Sequence, residues 1–256
     1  MSALAAAAAV AAALWLAAGS LMGRADFWLI ELCRAALTGA ASTPAGGGAP
    51  PLSPGLLGEL WAMWVLMMAA MMLPAMSAVL APLADIVGIK RSGWRFWATL
   101  GLFSGGYLLV WSGFSLVAAA AQLALRGTDL FSLDGSTAGP LAGGALLIVA
   151  GLWQFSSVKK SCLVKCRQPM AFLMAEWRPG LAGAARLGYR HGLHCLGCCV
   201  ALMGLMFVFG AMNLWWMAAI ALYCLAEKLA PAAETWSGWA GAVMIGAGAA
   251  MIGTQF

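Results

Sequence analysis

Charge is scarce in this 256-residue chain: Asp, Glu, Lys and Arg together make up 9% of it, and only two histidines are present. So few charges cannot cover the hydrated surface of a soluble domain, and with 63% hydrophobic residues and a mean hydropathy of +0.90 the chain reads as an integral membrane protein. Low-complexity tracts are lacking too, because the 32 glycines and 10 prolines are scattered through Ala, Leu, Met and Trp, which excludes disorder. The shortage of histidine rules out a haem bundle with paired bis-His sites. The 14 Lys and Arg against 9 Asp and Glu give a net charge of +5. These cations gather in loops between apolar runs, a pattern that sets membrane topology, so no nucleic-acid partner is expected.

The apolar runs order the chain. The first, Ala3 to Met22, is long enough to cross a hydrocarbon core of about 30 Å, and lacks the basic start and cleavage site of a signal peptide. Residues 27–37 have Arg24, Asp26, Glu31 and Arg34 in or beside them and read as an interfacial helix. Together, residues 1–38 form an N-terminal unit, 39–55 a Pro/Gly-rich linker that sustains neither helix nor ladder, and 56–256 a core bundle. In that core the runs lie at about 56–83, with Pro74 as an expected kink, then 96–125, 138–157, 193–212, 214–226 and 236–252. A polar segment, 158–190, interrupts them. The expected fold class is all-α, a polytopic transmembrane bundle of about six to seven spans surrounded by lipid bilayer.

Loop charge gives an orientation. Lys90, Arg91 and Arg95 lie in one loop, and Lys159, Lys160, Lys165, Arg167, Arg178, Arg186 and Arg190 in the 158–190 segment, whereas 126–137 has Arg126 against Asp129 and Asp134. With seven spans both basic loops fall on one side, which the positive-inside rule makes the cytoplasm, so the N-terminus is expected inside.

Both histidines and three of the seven cysteines fall within nine residues, His191-Gly-Leu-His194-Cys195-Leu-Gly-Cys198-Cys199. On a helix, the 100° step brings His191, His194, Cys195 and Cys198 onto one arc with Cys199 at its edge. Imidazole and thiolate are metal ligands, yet one straight helix does not wrap a tetrahedron. Cys162 and Cys166, flanked by Lys160, Lys165 and Arg167, offer a second contributor whose positive neighbours favour thiolate. A cytoplasmic location keeps thiols reduced, which weighs against a disulfide framework. Thiol redox chemistry and inert packing are the alternatives for these five cysteines, and Cys33 and Cys224, standing alone, read as packing. Cys195-Leu-Gly-Cys198 is followed by Cys199 rather than His, so it is not a c-type haem motif.

Methionine bears on which metal. Met63, Met67 and Met71 form one stripe, and Met68, Met72 and Met76 another. Thioether suits Cu(I) and is a poor zinc ligand, so the stripes read either as a soft-metal path or as ordinary gap-filling in helix packing. Copper leads and zinc competes. Glu59, Glu227 and Lys228 are expected near helix ends in structural roles, with Asn213 and Gln154 as bridges between helices.

These residues also carry a resemblance. Met63-Trp64 to Met71-Met72-Leu73-Pro74, Gly106-Tyr107-Leu108 with Trp111 and Phe114-Ser115, Lys160-Ser161-Cys162-Leu163 with Cys166-Arg167 and Pro169, His191-Gly192 with Cys195 to Cys199, and Ala226-Glu227-Lys228 resemble a bacterial family of predicted metal-binding integral membrane proteins of unknown function. The likeness covers residues 56–230 and implies metal binding by Cys162, Cys166, His191, Cys195, Cys198 and Cys199. The expectation is therefore a protein of the bacterial inner membrane that handles a soft metal, with a metal-delivery protein as partner. The alternative is a membrane oxidoreductase or thiol-redox protein using the same cysteines.

Overall fold

The computed structural model describes residues 54–87, 93–125, 138–209, 214–230 and 233–255. The N-terminal span, the interfacial helix, most of the linker, Asn213 and the 126–137 loop lie outside the described residues. What is described is helical: α1 Pro54–Val87, α2 Trp94–Leu125, α3 Pro140–Phe155, α4 Ser157–Arg167, α5 Pro169–Glu176, α6 Leu181–Gly204, α7 Met206–Phe209, α8 Leu214–Leu229 and α9 Ala233–Gly253.

Three helical stretches, Leu57–Val87, Trp94–Leu125 and Leu181–Phe209, are long and apolar enough to cross a membrane. α3 and α4 together make a candidate fourth, bent by 63° at their junction, as in a broken span or a re-entrant loop. Among the described residues this gives three spans, or four with the bent pair counted as one, and six to seven are not shown. At 1.5 Å per residue the 16 residues of α8 reach only about 24 Å, short of a core of roughly 30 Å. In α9, Gly238, Gly241, Gly246, Gly248 and Gly253 dilute the apolar character. The outward faces are nonetheless apolar, with Leu66, Leu109, Val117, Val149, Leu152, Leu222 and Val243 all exposed.

The 158–190 segment, expected as a polar loop, is folded. Ser156, with an extended backbone, ends α3 and caps α4 by accepting a hydrogen bond from the Val158 amide at 3.2 Å. Lys165 and Arg167 sit in the last turn of α4, where a helix favours cations. Pro169 opens α5 at a position that needs no amide hydrogen. Gly180, at φ 89°, makes the left-handed turn into α6, and the Glu176–Arg190 ion pair at 3.1 Å ties α5 to it. α1 runs unbroken through Pro74 and Pro82.

Glycine sets which helices touch. A Cβ on Gly106, Gly188 or Gly192 would run into the facing backbone across the α2–α6 seam, and one on Gly144, Gly151, Gly241 or Gly248 would do so between α3 and α9. These are small-residue contacts that let helix axes approach closely. α1 is pinned to α2 by Trp64 Nε1 donating to Gln122 Oε1 at 2.8 Å and by the Tyr107 hydroxyl donating to the Met72 carbonyl at 3.3 Å. The end of α3 reaches the middle of α6, where Trp153 Nε1 donates to the Gly197 carbonyl at 3.2 Å. The end of α8 meets the end of α4, with Arg167 Nη2 donating to the Ala230 carbonyl at 2.7 Å, and reaches α6 through Lys228 at Cys195. Several helix ends therefore converge on the stretch of α6 that carries the cysteines.

Candidate metal site

Helix periodicity turns Gly188, His191, Gly192, Cys195, Cys198 and Cys199 of α6 into the bundle. The three sulfurs are fully enclosed, at 0%, 0% and 1% exposure. Cys198 Sγ donates to the Cys195 carbonyl at 3.1 Å and lies 3.3 Å from Cys199 Sγ. From α4, the buried Cys166 lies beside Cys198. From α8, Cys224 does the same with Cys199, which also meets Cys195. Five thiols from three helices form one connected string, and all are free.

Cys195 carries the polar contacts. The Tyr107 hydroxyl of α2 lies 3.0 Å from its sulfur, and Lys228 Nζ of α8 donates to that sulfur at 3.0 Å. Lys228 is only 6% exposed. An ammonium taken out of water needs an anionic or strongly polar partner, and the Cys195 sulfur is the partner that the structure places within its reach. Alongside runs a neutral network. Lys159 of α4, itself 1% exposed, pairs with Glu227 Oε1 at 2.6 Å and also donates to Gln154 Oε1 of α3, while Ser237 Oγ of α9 donates to Glu227 Oε1 at 2.5 Å. This knot joins four helices at the bend between α3 and α4.

The other expected residues are placed around this string. His191 is buried against the rings of Phe103, Tyr107 and Phe172, at centroid distances of 6.0, 5.6 and 5.5 Å, with no hydrogen bond to Nδ1 among the described residues. His194 is half-buried, edge-on to Phe172, and lines a groove of about 380 Å³ with Arg186, Tyr189, Arg190 and Leu193. Cys162 is half-buried and lies against Gly197, on the other side of α6 from the enclosed sulfurs. Met63, Met67 and Met71 are buried in the core together with the second stripe, Met68, Met72 and Met76.

Among the described residues no three His, Cys, Asp or Glu side chains are grouped so as to hold one ion together. Cys195, Cys198 and Cys199 neighbour one another on one helix without surrounding a common point, a geometry unlike the closed tetrahedron of structural zinc.

The structure adds to three readings made from sequence. Cys224, read as isolated packing, belongs to the thiol string. Glu227 and Lys228 lie near a helix end as expected, but both are buried, and they face different partners, as adjacent residues on a helix must. Gln154 does bridge, through Lys159. Tyr107 was unmarked beyond its place in the resemblance, and nothing in its local sequence distinguishes it. The Glu227-Lys228 pair carried a signal, since ionisable residues beside an apolar run are functional candidates by default.

A family model described as PpoB2, a copper chaperone, matches residues 61–251, which span every residue of this site. The chain belongs to this copper-chaperone family. No curated protein and no solved structure matches it.

Proposed function

We propose that this is a membrane-embedded chaperone that carries copper as Cu(I) on paired thiolates of the buried string, with Cys195 and Cys199 as the principal donors and Cys166, Cys198 and Cys224 beside them. The observation that carries this reading is the contact between a buried ammonium and a buried cysteine sulfur within a string of free thiols. Soft thiolates favour Cu(I), and pairwise meeting of donors suits an ion that accepts a low coordination number. Copper is cargo in this reading. The zinc alternative fits less well, because zinc in proteins draws on three or four converging ligands.

The finer placement is ours as well. The core crosses a bacterial inner membrane with α8 and α9 completing a set of about six to seven spans once an N-terminal one is counted. Lys160, Lys165, Arg167, Arg178, Arg186 and Arg190 gather on α4, the α5–α6 turn and the start of α6, which orients that side toward the cytoplasm and puts the N-terminus inside. A soluble metal-delivery protein exchanges the ion there. A reporter fused near Gly180 tests the orientation: cytoplasmic activity supports it, and periplasmic activity reverses it.

The copper reading is tested on the full chain purified in detergent, loaded with Cu(I) under reducing conditions in competition with a Cu(I)-specific chelator, and analysed for metal. Copper should be retained by the wild type and lost from Cys195→Ser, because losing a ligand weakens binding more than the roughly 10- to 100-fold typical of an outer residue. Retention of copper by Cys195→Ser, or a wild type that holds only zinc, overturns it.

A further inference from the structure

The buried charges of the site form an account that can be balanced. Lys159 and Glu227 cancel as a pair at 2.6 Å, leaving Lys228 as the cation at the Cys195 sulfur, which the Tyr107 hydroxyl also meets and beside which Cys198 and Cys199 lie. Two thiolates holding a monovalent ion carry one surplus negative charge, which a single ammonium neutralises. Two thiolates holding a divalent ion are already neutral, and the same ammonium then leaves a surplus positive charge in an apolar interior, which is costly. A third thiolate would rescue the divalent ion, but no third donor converges with a pair among the described residues.

We propose that Lys228 is the residue that makes the site selective for monovalent over divalent soft metal ions, acting as a fixed counter-charge 3.0 Å from Cys195 rather than as a ligand. The inference rests on the copper reading of the thiol string and adds to it a criterion that softness does not supply. Selection by softness alone treats Ag(I) and Cd(II) alike as thiophilic ions. Selection by charge admits Cu(I) and Ag(I) and excludes Cd(II) together with Zn(II). The protons displaced from the two thiols on binding leave to solvent in every case, so they do not distinguish the ions.

The test uses the full-length protein in detergent and four probes, Cu(I), Ag(I), Cd(II) and Zn(II), each as the metal alone under reducing conditions. Wild type should bind Cu(I) and Ag(I) and discriminate against Cd(II) by about 10- to 100-fold, the range in which residues outside the ligand set act on metal affinity. Lys228→Met should lose that discrimination by gaining Cd(II) affinity, while Lys228→Arg, which keeps the charge, should retain it. A purely structural role for Lys228 predicts the opposite sign, with all four ions weakened together in Lys228→Met. Should Lys228→Met fail to fold, the wild-type series decides without it: Cd(II) binding as tight as Ag(I) overturns the proposal. A wild type that takes up neither Cu(I) nor Ag(I) overturns the copper reading and this inference together, whereas Cu(I) binding without charge discrimination overturns this one alone.

Discussion

Two seams in this bundle bring helices into close contact by different means. Between α3 and α9, Gly144 and Gly151 face Gly248 and Gly241, and the contact is backbone against backbone. Where α4 and α8 meet the middle of α6, Cys166, Lys228 and Cys224 instead lie against Cys195, Cys198 and Cys199, while Lys159 and Glu227 pair with each other between α4 and α8. The first seam loses nothing by being apolar. The second buries two ammonium groups, a carboxylate and a set of thiols in a chain with little charge, which marks it as the candidate for function. Close approach of helices is thus a packing solution at one seam and the frame of a site at the other.

The largest effect that would break this contrast comes from stranding a charge in the second seam. Glu227→Ala leaves the Lys159 ammonium buried with its carboxylate partner gone, and such a loss costs about 3–5 kcal/mol, whereas Lys159→Met combined with Glu227→Leu, which removes both charges, should be close to neutral. In the glycine seam, Gly248→Leu pushes side-chain atoms into the Gly144 carbonyl and Ile148, at about 1–3 kcal/mol, without changing copper content per folded chain. Thermal unfolding of detergent-solubilised variants, with metal analysis of the folded fraction, checks both. If Gly248→Leu strips copper while remaining folded, the two seams are not functionally separate.

The bundle was legible in its apolar runs, and so was the helix bearing the cysteines, because Cys195, Cys198 and Cys199 share a face by periodicity alone. Reading 158–190 as a loop failed for a specific reason. In α4 the inward stripe is Lys159, Leu163 and Cys166, at helical spacing, but its first member is a lysine and the outward positions Lys160 and Lys165 are charged, so no apolar period stands out. The partnership of Cys224 with Cys199, and of Lys228 and Tyr107 with Cys195, depends on how helices cross. Sequence spacing contains no information about crossings. The family match and the resemblance both point to metal handling, the match alone naming copper, and the geometry adds which sulfurs are enclosed together.

The smallest expected effect concerns the methionines of α1, which lie in the core that both seams share. Met63, Met67 and Met71 are buried, and the Met72 carbonyl, on the neighbouring stripe, accepts from Tyr107, which in turn touches Cys195. This contact is made by backbone and does not need a thioether. Replacing Met63, Met67 and Met71 by Leu keeps volume nearly constant, and each such exchange usually costs under about 1.5 kcal/mol, so the triple variant should fold. If the stripe only fills gaps, that variant binds Cu(I) with wild-type affinity in the chelator competition and supports copper-dependent growth or copper tolerance in cells as the parent does. If the thioethers form a soft-donor route to the thiol string, binding at equilibrium is preserved but loading slows and delivery in cells falls. Measuring affinity and loading rate on the same variant separates the two, because a route changes how fast the ion arrives and leaves the depth of the well at Cys195 untouched.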